Sequence, residues 1–133
     1  MIFFDTNILI YHSVNQDSQK QKLADKLITS ALSNDELLIS PLVFTEYVFI
    51  LAKLKQVDCT IKDIELFSKC IQGEITPIHV ISAYELSKTI SSCKNINDIV
   101  HLKFAEKYCN KLFTFDKDFK RFIPYTKLEL FIL

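Results

Sequence analysis

Four carboxylates in this 133-residue chain sit against apolar residues, where charge is costly. Asp5 follows Ile2-Phe3-Phe4 and precedes Thr6-Asn7. Glu46 shares the stretch from Ser40 to Ala52 with no other ionisable side chain except the phenol of Tyr47. Its helical neighbours three and four residues away are Leu42, Val43, Phe49 and Ile50. Asp98 follows Asn97 at the start of a helical stretch, and Asp116 ends Leu112-Phe113-Thr114-Phe115, with Asp118 two residues on. Each has an ordinary structural role open to it. A strand-end aspartate satisfies a turn, an acid in a first helical turn complements the helix dipole by ~0.3–1 kcal/mol, and a glutamate can lie at the solvated edge of a stripe. The placements nevertheless share a logic: two strand C-termini, one helix start, and one helix that follows a strand. In a parallel α/β sheet such positions converge on one edge. Carboxylates that converge without counter-charge repel, and some keep their protons. A hard divalent cation, Mg2+ or Mn2+, prefers carboxylate and water oxygens and relieves the repulsion. Such clamps hydrolyse phosphodiesters: one ion lowers the pKa of the attacking water, and a second, ~3.5–4 Å away, stabilises the leaving oxygen.

The elements that must position these acids follow from the apolar periodicity. Met1 to Phe4 reads as a buried strand. Leu23, Leu27, Ile28, Ala31 and Leu32 recur at helical spacing from Ser18 to about Asn34. Leu37-Leu38-Ile39 is a second short strand, and Ser40-Pro41 opens a helix to about Lys55. Thr60 caps a helix to about Gln72, where Gly73 is the stop. Ile75 to Val80 is strand-like, Ser82-Ala83-Tyr84-Glu85 is a capping box for a helix to about Cys93, and Asn97 caps a helix to about Asn110. Leu112 to Phe115 and Leu128 to Leu133 complete the strands. Short unalternating strands separated by helices indicate an α/β architecture: a mostly parallel central sheet of four to five strands flanked by helices.

Composition narrows the chemistry further. The length suits one domain, residues 1–133, and no Pro/Gly/Ser-rich linker divides it. The single glycine, Gly73, excludes glycine-rich dinucleotide and phosphate loops. Sixteen bases balance sixteen acids, which argues against a broadly basic nucleic-acid binder. Setting the four acids aside changes that picture, because sixteen bases then face twelve acids. The zero net charge conceals a concentrated acidic site within a mildly basic shell. Lys103, Lys107, Lys111, Lys117, Lys120 and Arg121 form the densest basic run, either a solvated face or a phosphate-steering one. Cys59, Cys70, Cys93 and Cys109 make no C-x-x-C pair and are expected to be reduced and mostly buried in a cytoplasmic protein. The start of the chain has no basic region and meets an acid at the fifth residue, unlike a secretory signal. The longest apolar run, Tyr47 to Ala52, falls far short of the ~20 residues of a membrane helix.

Phe4-Asp5-Thr6-Asn7-Ile8-Leu9-Ile10-Tyr11, Ser40-Pro41 with Thr45-Glu46, Asn97-Asp98 opening a helix, and Thr114-Phe115-Asp116-Lys117-Asp118-Phe119 occur in an order and spacing that resembles the PIN-domain ribonucleases. Within that family the pattern is similar to the VapC-like toxins of bacterial toxin–antitoxin pairs. The resemblance covers essentially the whole chain and implies a single PIN-like domain. It implies that Asp5, Glu46, Asp98 and Asp116 are both the catalytic acids and the ligands of one or two Mg2+ or Mn2+ ions, cleaving single-stranded RNA. Thr6, Asn7 and Thr114 match supporting positions, and Asp118 an outer acid. Lys103, Lys117, Lys120 and Arg121 are the expected RNA contacts. It also implies a homodimer and a cognate antitoxin, whose groove would lie on the helices Ser18–Asn34 and Pro41–Lys55. One departure is the helix after the third acid: Ile99-Val100-His101-Leu102-Lys103-Phe104 is bulkier than is frequent there.

Other constellations are weaker. His101, one helical turn after Asp98, either faces the acids or packs as a helix histidine. Phe115 and Phe119 either stack on bases or fill the core. Phosphoaspartyl chemistry is disfavoured, because haloacid-dehalogenase-like phosphatases need an Asp where Asn7 stands, and Phe4 breaks the acid pair of response-regulator receivers. The remaining alternative is a scaffold of the same fold that binds RNA or protein without cutting.

Overall fold

The computed structural model describes residues 1–91 and 95–133. Its four strands are β1 (Ile2–Phe4), β2 (Leu37–Leu38), β3 (Lys111–Thr114) and β4 (Glu129–Ile132). All pair in parallel, in the order β2-β1-β3-β4. The chain leaves β1 for β2 on one side, and leaves β3 for β4 on the other. The switch point therefore falls between β1 and β3, where an open α/β sheet has a crevice beyond its carboxyl ends. Phe4 is in register with Phe113, so Asp5 and Thr114 come next in line at that crevice.

Six α-helices surround the sheet among the described residues: α1 (Thr6–Ser13), α2 (Ser18–Ser33), α3 (Pro41–Lys53), α4 (Ile61–Ser68), α5 (Pro77–Thr89) and α6 (Ile96–Tyr108). A 3-10 turn at Asp58–Thr60 and a 3-10 segment at Lys117–Tyr125 complete the fold. None of the helices is long and apolar enough to cross a membrane. The core is contiguous and aromatic. Phe3 meets His101 and Phe104 of α6, and Tyr47 of α3 meets Phe67 of α4 edge to face. Buried Phe119 and Phe122 pin the 3-10 segment.

Several boundaries differ from the sequence reading, each for a local reason. Ile75 to Val80 is not a strand. Thr76 and Pro77 repeat the device of Ser40 and Pro41, a polar residue followed by proline at the first helical position. The Thr76 amide donates to His79 Nδ1 at 3.0 Å. Ser82-Ala83-Tyr84-Glu85 therefore lies inside α5 rather than opening a helix, and Cys93 lies outside the described residues. The chain after Asp5 is a helix, α1, which the sequence reading left as a turn. Ile8, Leu9 and Ile10 are all buried there, so no amphipathic period marks it. Helix α4 stops at Ser68, short of Gln72. Beyond it the Ile39 amide donates to the Cys70 carbonyl, and the Gln72 amide to the Ile39 carbonyl, which diverts the chain into an isolated bridge of Ile71 with Ile39, the residue after β2. Asn95, not Asn97, caps α6, accepting from the Asn97 amide at 3.1 Å. Among the described residues the cysteines are not buried: Cys59 is exposed, and Cys70 and Cys109 are half-buried.

Having one glycine has a backbone consequence. Helices α2, α3 and α5 each end near a non-glycine residue at positive φ, namely Asp35, Lys55 and Ser91. After α3 the Lys55 amide donates to the Ala52 carbonyl and the Gln56 amide to that of Leu51, the paired bonds of a left-handed helix ending. Gly73 is kept for a tighter place. At φ +78, a Cβ there would lie 2.9 Å from Phe104 Cζ and 3.0 Å from Tyr108 Cε2. Gly73→Ala should therefore cost ~2 kcal/mol, from positive φ and from overpacking against α6. Urea unfolding should show a lower midpoint at unchanged slope, and an unchanged midpoint would refute the close approach.

Candidate active site

The site forms where β1 and β3 end. The Asp5 amide donates to the Phe113 carbonyl at 3.0 Å, which ties the residue after β1 to β3. Asp5 is 6% exposed. Its Oδ2 accepts from Thr114 Oγ1 at 2.6 Å and from Asn7 Nδ2 at 2.7 Å. Asn7 also donates to Thr114 Oγ1 at 3.1 Å, and its Oδ1 accepts from the Phe115 amide at 3.1 Å. The Thr114 hydroxyl in turn accepts from the Asp116 amide at 2.9 Å. One asparagine and one threonine thus lock the two strand ends together beneath Asp5. Asp116 accepts from the Asp118 amide at 2.8 Å and caps the 3-10 segment, while Asp118 itself is exposed.

Glu46 reaches the same site from α3. Its Oε2 accepts from Thr6 Oγ1 at 2.7 Å and bonds His101 Nε2 at 2.9 Å, and its Oε1 accepts from Asn97 Nδ2 at 2.7 Å. With Asn95 as the cap of α6, the Asn97 side chain is free to turn inward. Asn95 also donates to Asp98 Oδ1 at 3.0 Å. Asp98 lies 3.8 Å from the guanidinium of Arg121.

The electrostatics divide the acids into two kinds. Burial pushes the Glu46 carboxyl up, but the bond and charge of His101, with the Thr6 and Asn97 bonds, outweigh it and leave it below the ordinary range. Asp5 goes the other way. Its burial outweighs the help of His101 and Thr114, and its pKa is raised. Asp98 is pushed up to about 6, first by burial, then by the charge of Asp5 and, less, of Asp116, against the pull of His101 and Arg121. Asp98 feels the charges of Asp5 and Asp116, and Asp5 feels that of Glu46, so the four acids share one electrostatic neighbourhood. Among the described residues no three His, Cys, Asp or Glu side chains form a closed ligand set. The donor chemistry still suits a hard divalent cation: all oxygen, negatively charged, and with no lysine ion-paired to Asp5 or Asp98 among the described residues.

The basic residues expected from sequence scatter. Arg121 joins the site through Asp98. Lys103 pairs with Glu106 at 2.9 Å and lines an ~800 Å³ groove with Asn110 and Glu129, at the opposite ends of β3 and β4. Lys117 donates to the Leu133 carbonyl, and Lys120 is exposed. Phe119 is core, and Phe115 is half-buried. The sequence reading missed Asn95, and it missed that Asn97 and His101 both hold Glu46. Only the helical spacing of His101 from Asp98 hinted at this.

The raised carboxyls predict a pH effect on stability. Folded Asp98 keeps a proton, up to about pH 6, that a carboxyl at its ordinary value of 3.8 has released. That stabilisation is complete below the unfolded value and is lost as pH rises through about 6. His79, lowered by burial and by Lys107, works in the opposite sense. In metal chelator, the thermal midpoint of Asp98→Asn relative to wild type should therefore rise between about pH 5 and about pH 7.5, because the variant lacks the penalty. A relative midpoint flat across that window would refute the raised value.

Comparison with known families matches residues 2–123 to the PIN domain. No curated protein matches the chain. The match spans nearly the whole chain, and the parallel sheet carries its acids at the switch point. The chain belongs to the PIN-domain family, a family of nuclease type.

Proposed function

We propose that this chain is a Mg2+- or Mn2+-dependent endoribonuclease that hydrolyses phosphodiester bonds of single-stranded RNA. The carrying observation is Asp5, a carboxylate buried beside Asp98 with its pKa raised and, among the described residues, no lysine ion-paired to it. Asp5, Asp98 and Asp116 would hold the metal, with Glu46 contributing directly or through water. A bound divalent ion supplies positive charge that acidifies the attacking water and offsets charge developing on the phosphate.

The chain's own side chains do the positioning. Asn7 and Thr114 occupy Asp5 Oδ2 and fix the plane of the carboxylate. Thr6, Asn97 and His101 fix both oxygens of Glu46 and keep it ionised. Such supporting bonds typically matter ~10–100-fold to metal affinity or activity. Arg121 beside Asp98 adds a cation at the rim, suited to a substrate phosphate.

The same reading carries a biological role: the toxin of a type II toxin–antitoxin pair, acting in the cytoplasm as a homodimer and restrained by a cognate antitoxin. Exposed Leu23 on α2 and Phe49 on α3 supply apolar contacts of the kind a partner helix would cover. Exposed Ile78, Ile81 and Tyr84 on α5 offer a self-association face.

Asp5→Asn should lower RNA cleavage by roughly a hundredfold or more. It should not lower the thermal midpoint, since it removes a charge that burial disfavours. Retained cleavage in that variant would sink the assignment, and calorimetry showing no saturable Mn2+ binding at millimolar metal would favour a non-catalytic scaffold. Expression without the neighbouring small reading frame should arrest growth, and expression tolerated equally with and without it would remove the toxin role.

A further inference from the structure

A second feature at the site lies on its outer flank and belongs to none of the acids. Lys20, in the first turn of α2, places its ammonium 4.8 Å from the centroid of the Tyr11 ring and 5.3 Å from that of Phe115. It also donates to Tyr11 Oη at 3.4 Å. The two rings meet edge to face at 5.2 Å. All three side chains are half-buried. The cluster is tied to the acids by short connections. Phe115 precedes Asp116 and gives its amide to Asn7, the residue that holds Asp5. Tyr11 follows Asn7 by one turn of α1, a rise of about 6 Å.

Among the described residues Lys20 has no ion pair. The aspartate beside it in sequence, Asp17, is engaged with the backbone amides of Gln19 and Lys20. Aromatic faces attract an ammonium and hold it in place but do not neutralise it. The basic groups singled out from the sequence are differently placed: Arg121 on Asp98, Lys117 on the Leu133 carbonyl, Lys103 on Glu106. Lys20 is thus an oriented cation with its charge unspent, seated on Tyr11, which lies one helical turn from the asparagine that holds Asp5. Its ligand should be an anion that also meets the acids, and a polynucleotide has such anions in series.

We infer that Lys20, seated on Tyr11 and Phe115, binds a backbone phosphate of the single-stranded RNA next to the phosphate addressed by the acid cluster. This rests on the ribonuclease reading and gives it a substrate subsite. A phosphate contact of this kind positions the strand without reading its sequence.

The test is binding of a labelled mixed-sequence RNA of about 12 nucleotides to the full chain, by fluorescence anisotropy with Ca2+ as the cation. Lys20→Met keeps an unbranched stem on the rings and removes the charge, whereas Lys20→Arg keeps both. Lys20→Met should weaken binding ~5–10-fold near 0.1 M salt and reduce the salt slope by about 1, with Lys20→Arg within about twofold of wild type. The thermal midpoint of Lys20→Met should stay within about 2 °C of wild type, since no ion pair is lost. If Lys20→Met does not fold, Lys20→Gln is read in its place. Unchanged affinity and slope in the charge-removed variant, or an equal loss in Lys20→Arg, overturns the subsite. Wild-type chain that binds no RNA overturns the ribonuclease reading and this subsite together, whereas wild type that binds but ignores the loss of Lys20 overturns the subsite alone.

Discussion

Keeping the carboxylate of Asp5 out of water is the constraint around which the rest of the site is arranged. A buried charge costs several kcal/mol unless donors or counter-charge offset it. The chain offsets part of that cost with Asn7 and Thr114 and leaves the remainder, as the raised pKa shows. Asn7 is two residues away, but Thr114 is 109 residues away and reaches Asp5 only while β1 and β3 are paired in register. A slip of one residue would put a phenylalanine where Thr114 stands. Sheet register and the electrostatics of the site are therefore one property.

Glu46 shows the contrasting solution. Three donors saturate it, its pKa falls, and it needs no cation to be stable as an anion. Asp5 and Asp98 stay raised by burial, and the charge of Asp5 raises Asp98 further, against the pull of His101 and Arg121. The protein's own donors compensate the charge of Glu46 fully, and that of Asp5 only in part. His101 belongs to this division. Only 1% exposed on α6, it packs against Phe3 and holds Glu46, joining the hydrophobic core to the polar site. The bulk of the helix after Asp98 is thus part of the support for Glu46.

What could be read from sequence follows from the range of each interaction. Glu46 was legible because a lone charge on an apolar stripe is a local anomaly. Asp5 and Asp116 were legible because strand ends can be seen in short apolar runs. The partners of Glu46 were not: Asn97 reaches it across 51 residues and His101 across 55, and no local pattern marks such bonds. Helix α1 was missed because it is buried on too many sides to be amphipathic. Helix α5 was misread at its start because Ile75, Thr76, Ile78 and Val80 carry strand propensity, although Thr76-Pro77 announces a helix. Lys20 looked like any lysine in a polar first turn, since the rings that seat it come from α1 and from the end of β3.

The pairing of β1 with β3 also sets an order in time. Asp5 and the Thr114 hydroxyl that holds it are 109 residues apart. A chain emerging from the ribosome presents Asp5 well before Thr114 and cannot assemble the site until β3 has followed. At roughly 5–20 residues per second, that interval lasts about 5–20 seconds. During it the nascent chain has its acids dispersed and its first strand without its central partner. Incomplete products would carry no assembled site. Assembly of the acid cluster is thereby deferred until β3 has been made.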